Sequence, residues 1–138
     1  MENNSNIQVS VETLNPTELK TAVTKWFANP GLINLDQSEI ERLLDNANSG
    51  VFAKATFGVS KIPHAISELT AEPTFAKAIQ DSLTIIINVE GSGDLGLLEF
   101  QNIVNGIVDA AHPGAHIMCG MSLDESLAPN LQATALAL

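Results

Sequence analysis

The run Leu83-Thr84-Ile85-Ile86-Ile87-Asn88-Val89 is almost continuously apolar. Apolar character at successive positions, rather than at alternate ones, marks a central strand covered on both faces. Three further segments read as strands. Val51 to Val59 mixes β-branched and aromatic residues without helical periodicity, and Ala115 to Met121 and Leu131 to Leu138 are similarly apolar. Helices fall between them. Asn15-Pro16-Thr17-Glu18 combines an N-cap, a first-turn proline and a glutamate three residues after the cap. Leu19, Ala22, Val23, Trp26 and Phe27 then follow at helical spacing. A second helix is expected from Gln37 to Ala47. A third, after Ser60, carries Ile62, Ala65, Ile66 and Leu69, and a long one runs from the Gly91-Ser92-Gly93 turn to Ala111. Glu72 to Gln80 reads as a short helical or irregular connection. Residues 1 to 14 read as a polar lead-in with a short extended piece at Ile7 to Val11, and residues 15 to 138 as one domain. The fold class is α/β (α+β): a two-layer domain with a four-stranded mixed sheet and packed helices.

At 138 residues the chain can bury roughly two thirds of its unfolded surface. Aromatic residues make up only 4%, so the core must rest on Ile, Leu, Val and Ala. A formal charge of −10 with six basic residues cannot build the cationic surface that nucleic acid or an anionic membrane requires. Neither is an expected partner. No apolar run reaches the ~18 residues of a membrane span, and the polar start Met1 to Asn6 is unlike a signal peptide. With the single cysteine, Cys119, this suggests a cytoplasmic protein.

The segment Asn29-Pro30-Gly31-Leu32-Ile33-Asn34-Leu35-Asp36-Gln37-Ser38-Glu39 sets an amide and two carboxylates before a helix. It resembles the "synergy" loop of FtsZ, the bacterial tubulin homologue. Other phrases resemble the same family's C-terminal domain. They are Ile86-Ile87-Asn88-Val89-Glu90-Gly91 with Asp94-Leu95-Gly96-Leu97-Leu98-Glu99-Phe100, and Ala115 to Gly120 with Ser122-Leu123-Asp124. The likeness covers residues 15 to 138. In FtsZ filaments this loop reaches into the GTP site of the next subunit, where its acids help polarise the attacking water. Carried over by position, the resemblance assigns an inherited interface to Leu32, Asn34, Asp36 and Glu39. Glu39 stands where the family has Asp. One methylene moves a carboxylate by about 1.5 Å, and such a displacement can cost on the order of 10²-fold in rate. Glu39 is therefore expected to permit docking while weakening hydrolysis.

The same residues have a plainer use. Asp36 three residues before Glu39 is a helix-capping pattern, and negative charge at a helix start is favourable without any catalysis. His112, His116 and Cys119 fall short of a metal site, because residues three apart on one strand point to opposite faces. His64 stands alone. Gly91-Ser92-Gly93 lacks the Lys-Ser/Thr ending of a phosphate loop. No cofactor and no metal are expected.

The glycine-rich signature that cradles nucleotide in FtsZ appears nowhere in these residues. The resemblance therefore implies a stand-alone FtsZ C-terminal domain, an interaction protein that is not an enzyme by itself. It would cap or regulate FtsZ filaments, at most completing a GTPase site in trans, with FtsZ as its partner. The alternative is a diverged homo-oligomeric scaffold or small-ligand-binding module unrelated to cell division. Without a neighbouring domain, Trp26 and Phe27 are expected to form an exposed apolar face on the first helix. Either residues 1 to 14 or a second copy in a homodimer would then cover it.

Overall fold

The computed structural model describes residues 7–28, 33–93 and 95–138. Its elements run β1 (Gln8–Leu14), α1 (Pro16–Ala28), α2 (Gln37–Asp45), β2 (Gly50–Gly58), α3 (Ile62–Ala71), α4 (Pro73–Asp81), β3 (Thr84–Gly91), α5 (Leu97–Asp109), β4 (His116–Leu123) and β5 (Asn130–Ala137). One sheet contains all five strands in the order β1-β2-β5-β3-β4. β1, β2, β5 and β3 pair antiparallel in turn, and β3 pairs parallel with β4. The parallel pair needs a crossover, which α5 supplies.

The expected α/β class with a mixed sheet is the fold observed, with two corrections. The sheet has five strands, not four. The extra strand is β1, of which the sequence suggested only an extended piece at residues 7–11. Its register runs unbroken from Gln8 opposite Thr56 to Leu14 opposite Gly50. Helices also lie on both faces of the sheet, so the domain has three layers, not two. Odd-numbered residues of β2, β3 and β5, such as Phe57, Ile85, Ile87, Val89, Ala133 and Ala135, share a core with Leu69, Phe75, Ile79, Ile103 and Ile107 of α3, α4 and α5. On the opposite face Phe52, Ile86 and Leu136 share a smaller core with Leu19, Val23 and Trp26 of α1 and Ile40 and Leu44 of α2. Strand residues two apart point to the same face, so each strand feeds both cores. This is why β3 is apolar at nearly every position.

Local signals fix the helix starts. Asn15 Oδ1 accepts the Glu18 N–H and Glu18 Oε1 accepts the Asn15 N–H, both at 2.9 Å, which is the reciprocal capping box expected. The segment 72–80 is a regular helix, α4. Glu72 serves as its N-cap by accepting the Phe75 N–H at 2.8 Å, and Pro73 sits in the first turn. At Gly106 in α5, an added Cβ would stand 2.6 Å from Ile66 Cγ2, so glycine lets α5 approach α3.

Candidate interaction site

The segment before α2 is tied to the free edge of β4. Ile33 bridges Met121, its N–H donating to the Met121 carbonyl at 3.4 Å and its carbonyl accepting the Met121 N–H at 2.8 Å. Half-buried Leu35 then sits over Gly120, where an added Cβ would lie 2.6 Å from Leu35 Cγ and 3.0 Å from Asn88 Oδ1. Asn34, between these two anchors, is exposed. Asp36 caps α2: Oδ1 accepts the Glu39 N–H at 3.1 Å and the Ser38 hydroxyl at 2.8 Å. The Ser38 hydroxyl, then the Glu39 N–H, hold its carboxyl below the ordinary value of 3.8. The cap is thus an exposed, ionised carboxylate, and Glu39, half-buried, stands in the first turn beside it. Leu32 lies outside the described residues.

The apolar face expected on α1 is not open. Trp26 is only 5% exposed and stacks on Phe52, with centroids 6.2 Å apart and planes at 28°. Its cluster includes Ile40 and Leu44 from α2, and Leu14 packs against it. Phe27 is half-buried and lines a cleft of about 340 Å³ between α1 and α2, beside Lys20, Thr24, Gln37, Glu41 and Asp45. The apolar stripe was correctly read. Its cover comes from elements of the same chain, so Trp26 does not require a second copy.

Sequence reasoning missed a polar cluster on the α1 face of the sheet. Asn88, Glu90, Ser122, Gln132 and Thr134 are all buried there. Asn88 Nδ2 donates to Ser122 Oγ at 3.1 Å, Thr134 Oγ1 donates to the Asn88 carbonyl at 3.2 Å, and Gln132 Nε2 donates to Thr56 Oγ1 at 3.1 Å. Glu90 is 1% exposed, and neither of its oxygens accepts a hydrogen bond of normal geometry. Lys25 Nζ is 3.9 Å from it, shared with Asp124 at 3.6 Å and Gln132 at 3.4 Å. The available signal was the pair of polar residues two apart in the β3 run, which places both on one face.

Burial pushes the Glu90 carboxyl above its ordinary 4.5; Lys25 and Lys54 oppose the rise and Asp124 adds to it. An acid whose folded value is raised holds its proton more tightly when folded. Stability is then unaffected below pH 4.5 and declines as pH rises through the higher folded value. Glu90→Gln should therefore leave stability unchanged at pH 4 and raise it by about 1–2 kcal/mol at pH 8. Urea unfolding at the two pH values checks this. Equal stability of the two proteins at both would show that Glu90 is not held against its ionisation.

Among the described residues no three His, Cys, Asp or Glu side chains converge as metal ligands, and no helix is long and apolar enough to cross a membrane. Exposed His116 and half-buried Cys119 occupy β4, with Cys119 packed against the larger core.

The chain is thus an α/β domain with a mixed five-stranded sheet, helices on both faces and a capped segment bridged to the β4 edge. The family described as "FtsZ family, C-terminal domain" matches residues 51–138, and the chain belongs to it. Cell division protein FtsZ of Haloferax mediterranei is 24% identical over 106 residues, covering 76% of this chain and 28% of that protein. Among solved structures, an empty FtsZ dimer of M. jannaschii superposes with a TM-score of 0.67 at 23% identity, covering 81% of this chain and 33% of the other. The W319Y variant of M. jannaschii FtsZ gives 0.70 at 23% identity, covering 88% and 38%. These structures share the fold. The chain spans about a third of the length of the relatives it matches. The family match begins at Val51, so the loop before α2 lies outside it.

Proposed function

We propose that this domain is an interaction module that docks on FtsZ through the segment from Ile33 to Glu39. The observation that carries the reading is the arrangement of that segment. It is pinned at Ile33 and Leu35, and it presents Asn34 and the ionised carboxylate of Asp36 at the surface. Membership of the FtsZ family supports FtsZ as that partner. These 138 residues contain no glycine-rich phosphate cradle, so they offer one side of a subunit contact and not the other. Docked at a filament end, they would stop the next subunit from adding, and so cap or regulate assembly. They perform no hydrolysis by themselves; Asp36 and Glu39 would at most assist hydrolysis of the neighbour's GTP. The proposed setting is the cytoplasm.

The test measures FtsZ assembly by light scattering and GTP turnover by phosphate release, with the protein added from substoichiometric to equimolar amounts. Wild type should shorten filaments or alter turnover. Two substitutions separate the carboxylate's roles. Asn is as good an N-cap as Asp, so Asp36→Asn should keep the stability of α2 and lose the effect on FtsZ. Asp36→Ala should lose the effect and also about 1 kcal/mol of stability. No binding and no effect at equimolar protein would overturn the reading in favour of a diverged scaffold or ligand-binding module.

A further inference from the structure

The two edges of the sheet are treated differently. At the β4 edge, the Ile33–Met121 bridge covers the strand near its C-terminal end. At the β1 edge the strand order ends, and among the described residues no backbone hydrogen bond reaches the outer side of β1. An open edge is a template for pairing, and soluble proteins usually blunt it with charged side chains, lysine above all, with proline or with a bulge. Gln8–Leu14 contains no Lys, Arg or Pro, its one charge is Glu12, and its seven residues pair with β2 in unbroken register.

We propose that β1 pairs antiparallel with β1 of a second copy, joining two sheets into one across a two-fold axis at Val11. The strand's own sequence selects this partner and register. In a symmetric antiparallel pair the two residue numbers have a constant sum. Centring on Val11 makes that sum 22 and pairs all seven residues: Gln8 with Leu14, Val9 with Thr13 and Ser10 with Glu12. An even sum keeps side chains of like parity on one face, so the two sets of helices stay in register. Moving the axis to Glu12 would oppose two carboxylates, and moving it to Ser10 would leave the last two residues unpaired. In the chosen register, exposed Glu12 of the copy stands across exposed Ser10, whose other neighbour on the same row is Lys54. The small serine leaves the Lys54 stem free to reach towards that carboxylate, a complementary charge across the join. The proposed FtsZ-docking segment lies at the opposite sheet edge, so a dimer of this kind would leave both copies of it free.

Sedimentation velocity over a wide concentration range should show a species of twice the 14.6 kDa protomer. Hydrogen exchange should show the outward-facing amides of β1 protected as that species forms. Ser10→Glu faces each Glu12 with a like charge and should weaken association by roughly tenfold, from two symmetric unfavourable pairs. Ser10→Lys should preserve or tighten it. Ser10 is exposed, and circular dichroism should show both variants folded. A monomer at every concentration would overturn the proposal. So would a dimer indifferent to both substitutions whose outer β1 amides exchange as freely as in the monomer. FtsZ binding by a monomer would leave the docking reading standing and defeat this one alone.

Discussion

Replacing Trp26 by Ala should cost about 3–5 kcal/mol, a large share of the ~5–15 kcal/mol that stabilises an ordinary domain. The side chain is the largest in the smaller core. It stacks on Phe52 of β2 and clusters with Leu19 and Val23 of α1, Ile40 and Leu44 of α2, and Ile86 and Leu136 of the sheet. Its removal strips contacts from both helices and the sheet at once and leaves a cavity that α1 can close only by moving. Because α2 rests on the same cluster, its N-terminus, which holds Asp36, should loosen with it. Urea unfolding followed by far-ultraviolet circular dichroism measures the loss without needing the tryptophan signal. Trp26→Phe, which keeps a ring against Phe52, should recover much of it. A loss below about 1 kcal/mol for Trp26→Ala would show that this core contributes little and that α1 is held elsewhere.

Gly120→Val should lower stability by up to about 3 kcal/mol and also abolish the proposed effect on FtsZ. The position is buried in β4, beneath Leu35 and beside Asn88. A first methylene-sized atom there already stands 2.6 Å from Leu35 Cγ and 3.0 Å from Asn88 Oδ1, and valine adds two more. Leu35 is the softer neighbour, because Asn88 is fixed by its bond to Ser122. The strain is therefore released by lifting the segment between Ile33 and Asp36 off the sheet. Thermal melting reads the first effect and light scattering of FtsZ the second, at a temperature where the variant remains folded. Gly120→Ala should show the same direction with a smaller change. A folded Gly120→Val protein that acts on FtsZ as wild type does would show that Leu35 is not what positions the proposed docking segment.

Much of the fold was legible because its signals are local. The continuous run of β3, the helical stripes of α1, α2, α3 and α5, and the capping box at Asn15 depend on residues within a turn or two of each other. Two segments were legible only in part, each for its own reason. Only odd-numbered Val9 and Val11 of β1 pack on the larger core, while Gln8, Ser10 and Glu12 are exposed, so its hydrophobic signal is half that of β3. α4 begins at a Glu cap, a residue type that weakly announces a helix start; only the bond from the Phe75 N–H shows its use.

For the candidate site, the sequence by itself determined the chemical types. It supplied an amide at 34, carboxylates at 36 and 39, and a cap before α2, all readable because capping is decided within three residues. Tertiary structure alone decided where these groups sit and what faces them. The Ile33–Met121 bridge and the Leu35–Gly120 seat join residues more than eighty positions apart, and no local pattern encodes such a meeting. The same holds for Trp26, whose apolarity was plain but whose cover by Phe52 and α2 was not, and for Glu90, buried near Lys25 from α1. A side chain's chemistry is fixed along the chain. Whether it faces water, a core or a partner depends on which distant segments the sheet brings beside it.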